Sequence, residues 1–350
     1  MTSRTGRVFV VGAYISNGGT HMAYHIGRIL QLDFRLEVVA VMLGGEHAEN
    51  SRFLYDVVFP VIPLAEMENL ITDGDVLIAN PSFSSHLFGL RLPGRKLMYV
   101  QGFNTFALLD CRFDHYVCVS EFVAKFVAAT YGIRAPVIPA FIEIDRLPKA
   151  VPWRARPVGS ILLHLKGDSN YRNVVLTKLR DAVARELPGV NLDDTLDAPL
   201  AHTDYVARLG SARYLVSLSA AEGFGLVPLE AMAMGTTVIG FDGFGGSEYM
   251  RAGKTCLVTS YPDIEGVASR LVAALRAPGL AERIAQRGRL TASRFSYERF
   301  HAAWQGELRR FLEAEARCAR SNHYWRPTLW DKFGRRNHRP GSGLSLPVRT

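Results

Sequence analysis

The chain has 350 residues, 48% of them hydrophobic, which suits a globular protein with room for two domains of ordinary size. The net charge of +8 is uneven: from Arg317 onward eight cations face Asp331 alone, so the tail holds +7 of it. That leaves the body near neutral and argues against a nucleic-acid binder, and no apolar run is long enough to cross a bilayer.

The N-terminal segment passes at once into the strand-like run Arg7–Val11, a poor start for a signal peptide. Cys111, Cys118, Cys256 and Cys318 show neither metal spacing nor a disulfide framework, so a cytoplasmic setting is expected. Further strands are predicted at Leu36–Leu43, Asp75–Ala79, Lys96–Val100 and His115–Ser120. Their continuous apolar runs suit a parallel sheet covered on both faces. Helices are predicted over Thr20–Leu30 and Glu121–Tyr131, and this βα alternation argues for a doubly wound domain over residues 1–145. Gly18 and Gly19 lie between the first strand and its helix, where close backbone approach and a helix N-terminus favour an anion. Asp73-Gly74-Asp75 precedes a strand and reads as a turn, not as a metal triplet.

Pro139, Pro148, Pro152 and Pro157 interrupt the pattern, and residues 146–158 read as a linker. A second α/β alternation over 159–295 opens with the strand Ser160–Leu165 and a helix near Asn173–Glu186. A weak strand near Val190, a helix near Tyr205, and strands at Tyr214–Leu218, Thr237–Gly240 and Thr255–Val258 follow. Ser296 is placed to cap a closing helix over 296–320, with Phe300, Trp304, Leu308, Phe311 and Leu312 as its apolar stripe. Residues 321–350 form a basic tail with Tyr324, Trp325 and Trp330 among its arginines. Docking on an anionic membrane surface and simple solvation are its two readings.

The stretch from Ser219 to Gly235 carries the chemistry. Glu222 sits on a glycine loop with Gly223, Phe224, Gly225, Leu226 and Val227; Pro228 is expected to open a helix, Gly235 to close it, and Glu230 to lie in its first turn. The helix N-terminus favours an anion, and a carboxylate there can accept two hydrogen bonds from vicinal hydroxyls such as a ribose offers. A sugar nucleotide meets both conditions.

This stretch, continued through Gly245, Gly246 and Glu248, resembles the E-x7-E signature of family-four retaining glycosyltransferases. The resemblance implies a GT-B architecture, two Rossmann-like domains facing a cleft, and transfer from a nucleotide-sugar donor to an acceptor the sequence does not identify. It implies that Glu230 holds the ribose and Glu222 the sugar, and that Gly225 and Leu226 offer amides to the diphosphate. Lys166, with Arg172 in place of the family's usual arginine, would supply charge. Gly245, Gly246, Glu248, Gly18 and Gly19 would complete the donor site. The nucleotide-sugar is a co-substrate, and neither cofactor nor metal is expected. A histidine common in the family's first domain is missing: the matching strand end reads Gln101-Gly102-Phe103-Asn104. Gln101, Asn104 and His21 are the acceptor-side candidates. That gap keeps open a second reading, a non-catalytic sugar-nucleotide-binding subunit. An epimerase or phosphorylase of like architecture would lack the E-x7-E loop.

Overall fold

The computed structural model describes residues 6–103, 108–192, 196 and 200–314. Asn104 and the tail, including Trp325 and Trp330, lie outside the described residues.

The first domain alternates β1 (Val8–Val11), α1 (Gly18–Leu32), β2 (Val38–Met42), β3 (Val61–Pro63), α2 (Leu64–Leu70), β4 (Val76–Ala79), α3 (Phe88–Arg91), β5 (Arg95–Val100), β6 (His115–Cys118) and α4 (Glu121–Tyr131). The sheet order is β3-β2-β1-β4-β5-β6 and each pairing is parallel. This is a doubly wound arrangement, whose order reverses beside β1. All four residues of β1 are fully buried, which explains its unbroken apolar run. The predicted strands form, four of them trimmed by one to three residues and β5 longer by one, from Arg95. β3 is an addition: three residues that follow Pro60 and end on Pro63 give no periodicity to read.

The second domain continues with β7 (Ile161–His164), α5 (Ser169–Glu186), α6 (His202–Leu209), β8 (Tyr214–Ser217), α7 (Leu226–Ala233), β9 (Thr237–Gly240), β10 (Leu257–Val258), α8 (Ile264–Arg276) and α9 (Pro278–Ala292). Its parallel sheet runs β10-β9-β8-β7. Successive strand residues face opposite ways. Ile161, Leu163, Val216 and Ile239 pack with Leu179 of α5 and Leu271 of α8. Leu162, Leu215 and Val238 join Leu229 and Met232 of α7 in an apolar core that continues into the first domain. The weak strand near Val190 does not form; its backbone N–H only closes a turn onto Leu187.

α10 (Tyr297–Glu313) starts after Ser296, but the Ser296 hydroxyl makes no capping hydrogen bond to the helix backbone. The helix lies on the first domain. Trp304 is fully buried with its ring edge-on to Tyr99, Glu307 meets His115 at 2.8 Å, and Arg95 donates to the Leu312 carbonyl. The chain between the sheets is held by Arg156, 3% exposed, whose guanidinium donates to the carbonyls of Val151, Ala212 and Met234 and to the Thr236 hydroxyl. Burial pushes its pKa down to about 10. Asp75 receives the backbone N–H groups of Arg7 and Thr72, so the acidic triplet is a turn. No described helix is long and apolar enough to cross a membrane.

Candidate active site in the interdomain cleft

A cleft of about 940 Å³ separates the two sheets and is lined from both. Its walls are the segments that leave the carboxyl ends of the strands: Asn17–Gly19 after β1, Asn80–Ser82 after β4, Gln101 and Gly102 after β5, Leu165–Asp168 after β7 and Ala220–Gly225 after β8. Ligands of open α/β sheets bind at such ends. The N-termini of α1, α5, α6 and α7 meet there, each with backbone N–H groups that no helix carbonyl satisfies. A second hollow, near 800 Å³, lies on the outer face between α5 and Pro262–Glu265, away from both carboxylates.

Lys166 lies two residues past the end of β7, lines the cleft and is largely exposed. Its Nζ lies 2.9 Å from a Glu222 oxygen, and the Glu222 backbone N–H is fixed by the Gly243 carbonyl at 2.8 Å. Glu230 is 7% exposed and faces the same space. Helix α7 begins at Leu226, two residues before the expected start at Pro228, so Glu230 lies in its second turn. The early start comes from Gly225, whose left-handed φ of +85° turns the loop directly into the helix. Gly235 does close the helix, at φ +70°.

Of the expected donor residues, Gly18, Gly19, Gly223, Phe224, Gly225, Leu226 and Val227 also line the cleft. Others do not. Gly245 and Gly246 underlie the loop, where a Cβ on Gly245 would sit 2.1 Å from the Gly223 carbonyl oxygen. The Glu248 carboxylate reaches across to accept the Glu121 N–H at the start of α4, 2.6 Å away. Arg172 turns back to the Leu165 carbonyl. Gly223 is small because the other domain, not a ligand, approaches it: an added Cβ would be 1.9 Å from the Gln101 carbonyl oxygen.

Among the acceptor-side candidates, Gln101 lines the cleft, but its amide donates to the Gly19 carbonyl at 2.7 Å. His21 is 4% exposed, stacked on Phe53 and outside the lining. Its Nε2 is 3.1 Å from that of His25 and 3.7 Å from Glu143. Among the described residues these three form the one trio placed like metal ligands. A metal would make each ring carry its proton on Nδ1, and metal-bound histidines pass that proton to an acceptor. Neither Nδ1 has a partner, so the trio fits a neutral pair sharing one Nε2 hydrogen bond better than an ion.

Several cleft residues are not marked by the sequence, and four of them are polar groups close to the carboxylates or the strand ends. His164, at the end of β7, lies against the Ser217 hydroxyl, and burial pushes its pKa down to about 3. Tyr205, on α6, is held protonated by burial and by the Glu230 charge. His202, the first residue of α6, donates from or accepts at Nε2, 2.7 Å from Glu230. Arg52 comes from the first domain and lines the same space. His164 lies on the predicted strand itself but reads there as a strand residue, whereas Tyr205, His202 and Arg52 are brought in by long-range packing that no local signal marks.

The buried histidines set an acid limit on stability. Burial also lowers the pKa of His21 and, more strongly, His25. The folded state excludes their cations, so stability is complete above about pH 6.5 and is lost as pH falls below it. For His164 the slope is about 1.4 kcal/mol per pH unit down to its folded pKa. Urea midpoints should therefore fall between pH 7 and pH 5, and less steeply in His164→Asn. Equal midpoints at both pH values would contradict the neutral assignment.

Residues 195–291 match the family described as Glycosyl transferases group 1, a span that holds Glu222 and Glu230. The second domain thus contains a group 1 glycosyl transferase domain. No curated protein matches the chain. Among solved structures, the chain is similar to sucrose-phosphate synthase from Thermosynechococcus elongatus, with TM-score 0.66 and 14% identity over 88% of this chain and 99% of that one. It is likewise similar to Anabaena HepE in complex with UDP-glucose, with TM-score 0.66 and 14% identity over 87% and 99%. A Rickettsia africae glycosyltransferase gives TM-score 0.62 and 15% identity over 89% and 100%. At such identities the likeness shows the fold, two Rossmann-like domains in the GT-B architecture, around the group 1 domain.

Proposed function

We propose that the protein transfers a glycosyl group from a nucleotide-sugar to an acceptor, with retention at the anomeric carbon. The observation that carries this reading is the grouping of Glu222, Glu230 and Lys166 with the starts of α1 and α7 around one cleft. The donor diphosphate would lie on the helix N-termini and Lys166, with the ribose hydroxyls on Glu230 and the sugar hydroxyls on Glu222. In front-face transfer the bond from anomeric carbon to phosphate oxygen breaks. The acceptor oxygen bonds to that carbon on the same face, and its proton leaves with the nucleoside diphosphate. No enzyme nucleophile is required, and Lys166 stabilises the charge left on the diphosphate.

UDP, GDP and ADP should be screened by thermal shift, because a ligand of the folded state raises its apparent stability. Release of nucleoside diphosphate from a panel of sugar nucleotides then tests turnover. Glu230→Ala should weaken diphosphate binding more than tenfold, since a charged hydrogen bond contributes about 1.5–3 kcal/mol. Glu222→Ala should spare that binding and lower transfer. Turnover should survive EDTA, because Lys166 and the helix ends already meet the diphosphate charge; loss restored by manganese would refute that assignment.

The second reading is a sugar-nucleotide-binding subunit without turnover. It draws on the first-domain wall, where Gln101 spends its amide on Gly19 and His21 is packed away from the cleft. Nucleotide binding with no release from any sugar nucleotide would favour it.

A further inference from the structure

Glu230 is a nearly buried carboxylate, and a carboxylate has about four acceptor positions. His202 occupies one, with Nε2 2.7 Å from Oε1. A buried carboxylate left mostly unpaired is costly, so the remaining positions favour hydroxyl donors arriving from the cleft. His202 is itself tied to the opposite domain. Its backbone N–H donates to the Arg52 carbonyl at 3.1 Å, and its ring lies 4.9 Å from that of Phe53. Phe53 is buried and stacks on His21 of α1 at 4.2 Å.

We infer that His202 is a positioning residue for nucleotide recognition: it aims Glu230 at the ribose hydroxyls and is itself aimed by Arg52 and Phe53 of the first domain. The inference rests on the assignment of Glu230 to the ribose. It adds that ribose recognition depends on contact between the domains. By linkage, a nucleotide that binds through Glu230 favours the joined arrangement to the same extent. The pair is thus a route by which the donor, once bound, holds the two walls together around the reacting atoms.

The test is ribose discrimination. Affinities for UDP and for 2′,3′-dideoxy-UDP are measured by calorimetry on the full chain, using the GDP or ADP pair if UDP does not bind. The native protein should prefer the hydroxylated form by tenfold or more. His202→Ala should lose about tenfold in UDP affinity and most of that preference, with little change for the dideoxy form. His202→Gln, which keeps a donor at similar reach, should recover both. Phe53→Ala should lower the preference from the other domain. A general packing defect would weaken both ligands alike and would overturn the proposal. So would a folded His202→Ala protein with native discrimination while Glu230→Ala loses it, which leaves the ribose assignment standing. If Glu230→Ala also keeps native discrimination, the ribose assignment fails and this inference fails with it. Phe53→Ala with native discrimination would remove the link between the domains.

Discussion

Lys166→Ala is expected to lower the turnover rate for glycosyl transfer by about 10²–10³-fold, the usual effect of removing one fixed group that stabilises developing charge. Lys166 sits two residues past the carboxyl end of β7 and lines the cleft. Its N–H is steadied by the Ser219 hydroxyl, and its ammonium rests on Glu222 at 2.9 Å. The ammonium is largely exposed although the Glu222 side chain is not, so Lys166 can turn from Glu222 to a diphosphate that enters the cleft. The charge on the leaving group grows as the glycosidic bond breaks, so the loss should fall on the rate rather than on donor affinity. Single-turnover rates at saturating donor separate the two. A native rate in the variant would move the leaving-group charge to the helix N-termini alone. Lys166→Arg should recover part of the rate, since it keeps the charge but changes its shape.

The elements that were legible are those whose pattern is local. β1 is a short apolar run between Arg7 and Gly12, and β5, β8 and β9 are short and mostly apolar, because each strand is buried on both faces. Helix α4 was readable to the residue because Ser120 caps it, with its hydroxyl accepting the Val123 N–H, and Gly132 ends it at φ +70°. The strand, glycine loop and helix that carry Glu222 and Glu230 were legible because they lie in one short consecutive stretch. What lay beyond the sequence is what two distant segments do to each other. Glu248 looked like part of the donor pocket, yet its carboxylate caps α4 of the other domain. His21 looked available beside a glycine pair, but the packing of Phe53 and His25 removes it from the cleft. His202 gains its meaning from Glu230, 28 positions away, and from Arg52 in the other domain. Nothing in the residues around His202 encodes either contact.

Gly223→Ala is expected to reduce transfer by about 10²-fold, though the change adds one methyl group and removes no functional atom. The added Cβ would lie 1.9 Å from the Gln101 carbonyl oxygen, 2.7 Å from its carbon and 3.0 Å from the Gly102 Cα. These are backbone atoms at the end of β5, so no side-chain rotation relieves the overlap. The loop must withdraw or the domains must part. Either movement breaks the hydrogen bond from the Ser120 hydroxyl to the Gly223 carbonyl, 2.7 Å, and shifts Glu222 one residue away. Misplacement of about 1 Å at a reacting centre can cost that factor. Gly18→Ala makes the useful contrast. Its Cβ would meet Leu226 Cδ1 at 2.4 Å, the far end of a side chain that can turn aside, so a much smaller loss is expected. Small-angle scattering should show Gly223→Ala more open than the native chain and Gly18→Ala close to it. Nucleoside diphosphate binding should survive in Gly223→Ala more than transfer does, because Glu230 and the start of α7 stay within the second domain. Native transfer and native scattering in Gly223→Ala would mean that the two walls of the cleft are not in contact at this loop during catalysis.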